Sequence, residues 1–205
     1  MVQALYFVRH GETDYNREGR FQGHADIPLN ARGLEQAAAV AAELAGHDIR
    51  TIVSSDLSRA RETADAIAEA LGVEVKENPL LRELNVGDWQ AKTRQEISEI
   101  WPEQLAAWLG GQDMRPPGGE SRSESASRVV QAIRSLVAEI GEVDGAIAIV
   151  AHGAVLRGAA EELLGMGAGS GSLGVLGNCA YGVLTPRRDA WVLRSWGMSA
   201  TDTPA

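Results

Sequence analysis

The sequence predicts an α/β fold with a mostly parallel central sheet, helices on both faces and a closing pair of antiparallel strands. Three observations point there. Apolar runs of strand length alternate with amphipathic stretches of helix length, the pattern of βα units on a parallel sheet. Two of those runs, 2–8 and 146–151, end in His-Gly, and in such sheets ligands sit beyond the carboxyl ends of the strands. Two further strand-like segments, 179–185 and 190–196, flank a turn at Pro186-Arg-Arg-Asp189 and read as a hairpin.

Residues 2–8 are apolar apart from Gln3, as expected of a strand covered on both faces. The strand runs into Arg9-His10-Gly11 and a polar, glycine-punctuated loop over 10–29. Asn30 is a helix cap for a stripe of Leu34, Ala37, Ala38, Ala41, Ala42 and Leu44, with Gly46 as the stop. Ile49 to Ser54 reads as a second buried strand. Ser55 or Asp56 then caps a helix that closes at Gly72. Val73 to Glu77 alternates like a short strand.

Thr93-Arg-Gln-Glu96 is a capping box before an apolar helix that Pro102 splits in two. Residues 110–119 form a loop, and Ser121-Arg-Ser-Glu124 opens a long amphipathic helix to about Ile140. The wholly apolar run 146–151 is the fourth strand, and a helix follows from about 154 to 164. Residues 165–177 are rich in glycine and serine, a loop at a site mouth or simply a connection. Residues 1–198 are expected to form a single domain and 199–205 a tail.

Composition excludes several classes. A chain of 205 residues with 44% hydrophobic and 23% charged content is that of a globular protein with a sizeable core. A net charge of −9 argues against nucleic acid as a partner, and it makes any cluster of arginines purposeful. The lone Cys179 excludes an internal disulfide and reads as a small buried hydrophobe. No apolar run approaches the roughly 20 residues of a membrane span. The first apolar stretch passes straight into Arg9-His10 without a basic leader, which reads against a signal peptide. The expectation is a cytoplasmic protein with no membrane partner.

The candidate site grows from the first strand. A neutral imidazole beside a cation suits attack on a phosphoryl group, yet a lone histidine at a strand end is also what a core residue looks like. His152, which ends a parallel strand at the same sheet edge, tips the balance. Arg59 falls in the first turn of its helix, where a cation opposes the helix dipole unless an anion sits there. It also reads as a solvated surface arginine. Arg9 reads equally as half of an ion pair, and Glu83 as an acid or a surface carboxylate. His24 and His47 look unexceptional. Two histidines with no acidic pair at ligand spacing do not make a zinc centre.

Taken together, the segments resemble the histidine phosphatase superfamily, which includes the cofactor-dependent phosphoglycerate mutases. Arg9-His10-Gly11, within VRHGETDYN, is similar to its RHG signature. Ser54 to Ala60 with Thr63 matches the segment of its second arginine, Leu81-Arg82-Glu83 its acid segment, and Ala151-His152-Gly153 its second histidine. Gln22-Gly23 and Pro117-Gly-Gly-Glu-Ser121 match too, in family order along nearly the whole chain.

The resemblance implies that His10 is the nucleophile, forming a phosphohistidine. Arg9, Arg59 and His152 would bind the phosphoryl oxygens, and Glu83 would act as acid and then base. Gly153 would lend an amide, and Asn16, Gln22 and Gly23 would make rim contacts. It implies no metal and no cofactor, a small phosphorylated metabolite as partner, and compatibility with a homodimer. Mutases resembling this chain carry an insert after the acid segment. The compact stretch from Glu83 to Ser121 therefore favours a phosphatase over a mutase, and the presence of Arg9, His10, Arg59, Glu83 and His152 together favours it over a non-catalytic phosphate binder. FQGHADIPL, LRELNVGDWQ and PGGES are similar to phosphatases of glucosyl-3-phosphoglycerate, of other sugar phosphates and of α-ribazole phosphate. Leu84, Trp89, Trp108, Met114 and the 165–177 loop are candidates for the substrate wall, although each is also well explained by packing, the reading favoured for Trp108.

Overall fold

Val2–Arg9 forms β1 in the computed structural model, which describes residues 2–140, 145–167, 169–188 and 190–200. Successive side chains of β1 point to opposite faces, as the two-residue period of a strand requires. Leu5 and Phe7 enter one buried cluster, while Ala4, Tyr6 and Val8 enter another. Double burial explains why the run is apolar without alternation.

β2 (Ile49–Ser54), β3 (Val75–Glu77) and β4 (Gly145–Ala151) run parallel to β1. β5 (Tyr181–Arg187) lies antiparallel beside β1, and β6 (Ala190–Met198) beside β5. The described strands form one six-stranded sheet in the order β3-β2-β4-β1-β5-β6. Arg9 pairs with Ala151, so His10 and His152 leave adjacent strands at the same edge.

The helices are α1 (Asp14–Glu18), α2 (Ala31–Leu44), α3 (Ser58–Leu71), α4 (Arg94–Ile100), α5 (Pro102–Leu109), α6 (Arg122–Ile140) and α7 (Gly153–Leu163). α2 and α3 cover one face through Val40, Leu44, Ala64 and Ile67. α6 and α7 cover the other through Val129, Ile133, Val155 and Leu156, with Ile97 of α4 and Leu105 of α5 in the same cluster. No helix among the described residues is long and apolar enough to cross a membrane.

Several local expectations are corrected. The loop over 10–29 contains α1, capped by Thr13 with Asn16 completing a capping box. Asn30 does cap α2, accepting from the Gly33 amide at 2.9 Å. Leu34 is not in the buried stripe, however; it is 55% exposed, and Gly33, Ala37, Val40, Ala41 and Leu44 are buried instead. Gly33 belongs there because the chain after β1 crosses it closely. A Cβ on Gly33 would lie 2.1 Å from the Glu12 carbonyl oxygen, and one on Gly11 2.5 Å from that of Gly33.

α2 ends at a cap on Ala45 rather than Gly46. α3 starts after Leu57, which gives no side-chain cap; Ser55 Oγ accepts from the Leu57 amide at 3.3 Å, Asp26 from the earlier loop accepts from that of Ser58 at 2.8 Å, and Arg82 holds Asp56. β3 keeps only the last part of its expected range. β5 runs through Pro186, which sits beyond the residues paired with β1, so its missing N–H interrupts no ladder there. Asp189 of the expected turn, Ala168 of the glycine-rich loop and 201–205 of the expected tail lie outside the described residues.

Candidate active site

His10 sits at the first position beyond β1 and is 2% exposed. Its Nδ1 lies 2.6 Å from the Gly11 carbonyl, which can only accept, so Nδ1 carries the proton and Nε2 keeps its lone pair. His10 lines a cleft of about 1060 Å³. Burial first, then the charges of Arg59 and Arg9, hold its imidazole well below the ordinary value of 6.5. The ring is neutral and nucleophilic at neutral pH.

Around it the floor of the cleft is locked by backbone. Arg59, 0% exposed, donates through Nη1 to the Ala25 carbonyl at 2.7 Å and through Nη2 to that of Gly23 at 3.0 Å. Its Nε donates to His152 Nδ1 at 3.2 Å. Desolvation brings the guanidinium down to about 10, which leaves it charged near neutrality. Arg9 donates through Nη1 to the Leu176 carbonyl at 2.7 Å, while its buried Nε has no acceptor in the protein. That orphaned donor, next to His10, is what an anion would satisfy.

His152 ends β4 and caps α7 through its backbone. Its ring lies 5.1 Å from that of His10, edge to face. Because Nδ1 accepts from Arg59, the neutral ring carries its proton on Nε2 and donates it to Ser55 Oγ at 2.9 Å. Both nitrogens are thus engaged by protein, so here His152 fixes Arg59; turned from Ser55, its Nε2–H would become a donor to a ligand. Burial, followed by Arg59, holds this ring too well below 6.5.

Glu83 reaches the start of α7 from the chain after β3. Its carboxylate accepts from the amides of Leu84 at 2.9 Å, Val155 at 3.3 Å and Ala154 at 3.4 Å, a helix N-terminus being a natural seat for an anion. Its backbone carbonyl accepts from His24 Nε2 at 2.8 Å. His24 therefore positions the acid segment. Gly153 lies against Arg9: an added Cβ would stand 2.9 Å from Val175 and 3.4 Å from Arg9 Nε.

The structure brings together all nine residues singled out from sequence, although the rim residues serve the scaffold more than expected. Asn16 Oδ1 accepts from Thr13 and from Asn178. Gln22 Oε1 accepts from Thr13 Oγ1, and the Gly23 carbonyl is spent on Arg59. Asn16, Gln22 and Gly23 nonetheless line the cleft. Of the wall candidates, Leu84, Trp108 and parts of the 165–177 loop line it, whereas Trp89 and Met114 pack in the core behind it. Cys179 is buried, its thiol pushed up to about 12 by desolvation. His47 bonds the Tyr6 hydroxyl away from the site. No group of three or more His, Cys, Asp or Glu able to hold a metal ion occurs among the described residues.

Sequence reasoning passed over the residues that hold the floor. Ser55 looked like a helix cap. Thr63 bridges strand and helix, its Oγ1 accepting from the Gly11 amide at 3.1 Å and donating to the Arg59 carbonyl at 2.8 Å. Asn178 donates to the His10 carbonyl at 3.0 Å. The signal for Thr63 was its place four residues after Arg59, one turn along the same helix face. Arg122 and Arg157, which line the far wall, were also missed.

Comparison with known proteins gives a consistent result. The family described as "Histidine phosphatase superfamily (branch 1)" matches residues 5–199. A glucosyl-3-phosphoglycerate phosphatase of Mycolicibacterium vanbaalenii is 35% identical over 216 residues, covering 97% of this chain and 96% of the relative. A probable phosphoglycerate mutase of Escherichia fergusonii is 35% identical over 210 residues, covering 98% and 96%. The solved structure of a mycobacterial glucosyl-3-phosphoglycerate phosphatase complexed with VO3 superposes with a TM-score of 0.90 at 35% identity, covering 97% of this chain and 100% of that one.

Proposed function

Since the chain belongs to branch 1 of the histidine phosphatase superfamily, we propose that it is a phosphomonoesterase working through a phosphohistidine on His10, without metal or other cofactor. The carrying observation is the His10–Gly11 hydrogen bond, which leaves Nε2 unprotonated inside a cleft that also holds the buried Arg59 and the half-buried Arg9. In the first step the Nε2 lone pair attacks phosphorus and the P–O ester bond breaks. Protonated Glu83 gives its proton to the departing alkoxide. Arg9 and Arg59 hold the phosphoryl oxygens, each contact being worth on the order of 3 kcal/mol in the transition state. In the second step water attacks the phosphohistidine, Glu83 takes its proton, and inorganic phosphate leaves. Gly153, Asn16, Gln22 and Gly23 complete the phosphoryl cradle.

The substrate class we favour is a small sugar phosphate or phosphoglycerate ester such as glucosyl-3-phosphoglycerate, supported by the relatives and solved structures of that name. Compactness between Glu83 and Ser121 does not separate phosphatase from mutase, because a relative named as a probable mutase matches over the same length. Access of water favours hydrolysis: the cleft opens past exposed Arg94, Gln95 and Gly111. A phosphate-release screen over sugar phosphates and phosphoglycerates tests this reading. Rapid acid-free quenching should trap an alkali-stable phosphoenzyme that His10→Ala lacks. Interconversion of 3- and 2-phosphoglycerate stimulated by 2,3-bisphosphoglycerate, outpacing phosphate release, would establish the mutase instead.

A further inference from the structure

Beyond the phosphoryl site the same cleft holds a second pair of arginines, one on each of the two helices of the far wall. Arg122 opens α6, its guanidinium carbon 3.7 Å above the Trp108 ring. It donates to the carbonyls of Trp108 at 2.8 Å and Gln112 at 3.0 Å, so its head is fixed in place. Arg157 lies on α7, and its Nε is buried with no hydrogen-bond partner. Among the described residues Arg157 makes no ion pair either. The two cations feel each other: after desolvation, the charge of Arg157 is the next cause lowering Arg122. Asp113 opposes this, but its oxygens are engaged by Ser121 and Ser123. Two like charges facing one cleft, one carrying a buried unmet donor, describe a site that lacks its anion.

Placement supplies the distance. Arg157 follows Gly153 by four residues, a rise of about 6 Å along α7. Side chains on a helix lean toward its N-terminus, so Arg157 leans back toward Gly153, Arg9 and the phosphoryl end. The Glu83 carboxylate lies between, on the amides of Ala154 and Val155. A leaving alcohol protonated by Glu83 therefore extends along α7 toward Arg157.

Resting on the phosphatase reading above, we infer that Arg157 and Arg122 form a second anion subsite. It selects phosphomonoesters whose alcohol carries another anionic group, a carboxylate or a second phosphate, a few bonds from the ester oxygen. The anion pairs with the Arg157 guanidinium where it lines the cleft, and Arg122, stacked and anchored, supplies field and a rigid wall.

The test compares matched pairs: 3-phosphoglycerate against sn-glycerol 3-phosphate for a carboxylate, and a hexose 1,6-bisphosphate against its 6-monophosphate for a phosphate. The full chain should favour the anionic member of at least one pair by about 10-fold or more in kcat/KM. Arg157→Met should bring that ratio to within about 2-fold of unity, and Arg157→Lys should keep part of it. No preference in either pair overturns the inference, as does an Arg157→Met ratio equal to that of the unmodified chain. If no ester releases phosphate, the phosphatase reading fails by itself. The same pairs are then compared as ligands by calorimetry, where tighter binding of the anionic member that Arg157→Met abolishes still supports the subsite, and equal affinities sink it.

Discussion

At the floor of the cleft Arg59 is held through all its guanidinium nitrogens by backbone and by another site residue, whereas Arg94 on the rim and Arg157 on the far wall have no such partner among the described residues. Arg59 gives Nη1, Nη2 and Nε to Ala25, Gly23 and His152. Arg94 on the rim is exposed and Arg157 on the wall keeps a buried Nε unmet. On the proposed phosphatase reading the difference separates two tasks. Groups that meet the transition state must not reorganise during the step, so the fold fixes them in advance. Groups that meet the variable part of a substrate are left for the substrate to satisfy.

Arg59→Met is the strongest way to break that division. It removes a fixed cation and leaves the carbonyls of Gly23 and Ala25 and the Nδ1 of His152 unpaired in the interior. We expect kcat on p-nitrophenyl phosphate to fall by about 10²- to 10³-fold. Stability in urea should fall by about 2 kcal/mol. A loss of only a few-fold in kcat would show that the floor is no more pre-set than the rim.

Next comes Thr63→Val, which keeps shape and deletes one hydroxyl. That hydroxyl ties the Gly11 amide beside His10 to the Arg59 carbonyl on α3. Losing it leaves a buried amide without an acceptor, at about 1–2 kcal/mol. The looser His10 should show in kcat, by about 10-fold, with KM little changed. A drop in stability with kcat intact would make Thr63 a packing residue only.

These two positions also show what the sequence could disclose. Strands β1 and β4 were legible because burial on both faces demands unbroken apolar runs, and their His-Gly ends announced the site edge. Arg59 could be suspected from its unfavourable place in a helix's first turn, where it indeed lies. Ser55 could not, since a hydroxyl carries no sign of its partner until the fold brings one within reach, and Thr63 offered only its place one turn after Arg59. The cap of α3 was misread for want of such a sign: Ser55 has cap chemistry, but its hydroxyl accepts from the Leu57 amide and from His152 of a distant strand, and Asp26 takes the Ser58 amide. Leu34 was misread because helical spacing does not say which face of the stripe meets the sheet; it is 55% exposed. α1 escaped because five residues are too few for a periodicity.

pH probes the floor as a unit. His10 and His152 are both held well below 6.5, chiefly by burial and then by the nearby arginines. An unfolded chain takes up their two protons near 6.5, while the folded chain refuses them until far lower pH. Stability contributed by these groups is therefore present above 6.5 and is lost as pH falls toward their depressed folded values. Urea unfolding at pH 7.5 and 5.5 should show the decline, and a His10→Gln, His152→Gln variant should show a shallower one. Over the same interval His10 should impose no acid limb on kcat/KM, since Nε2 stays unprotonated. An acid limb near 6.5 that His10 itself carries would show that burial does not hold this ring neutral.

The smallest effect expected is the one that isolates burial from charge. Arg94 and Arg157 both line the cleft, and among the described residues neither has a hydrogen-bonded or ion-paired partner. Arg94 is exposed at the start of α4, so water already satisfies its donors and salt screens its charge. Arg94→Gln should raise KM by about 2-fold at low ionic strength and by nothing measurable at about 0.5 M salt, where the Debye length is only a few ångströms. Arg157→Met should keep more of its effect on selectivity at the same salt, because a partly buried pair between its guanidinium and a substrate anion is screened much less than an exposed one. Equal salt sensitivity in the two variants would mean that Arg157 acts as a diffuse surface charge. The contrast between a partner supplied by water and a partner supplied by substrate would then dissolve.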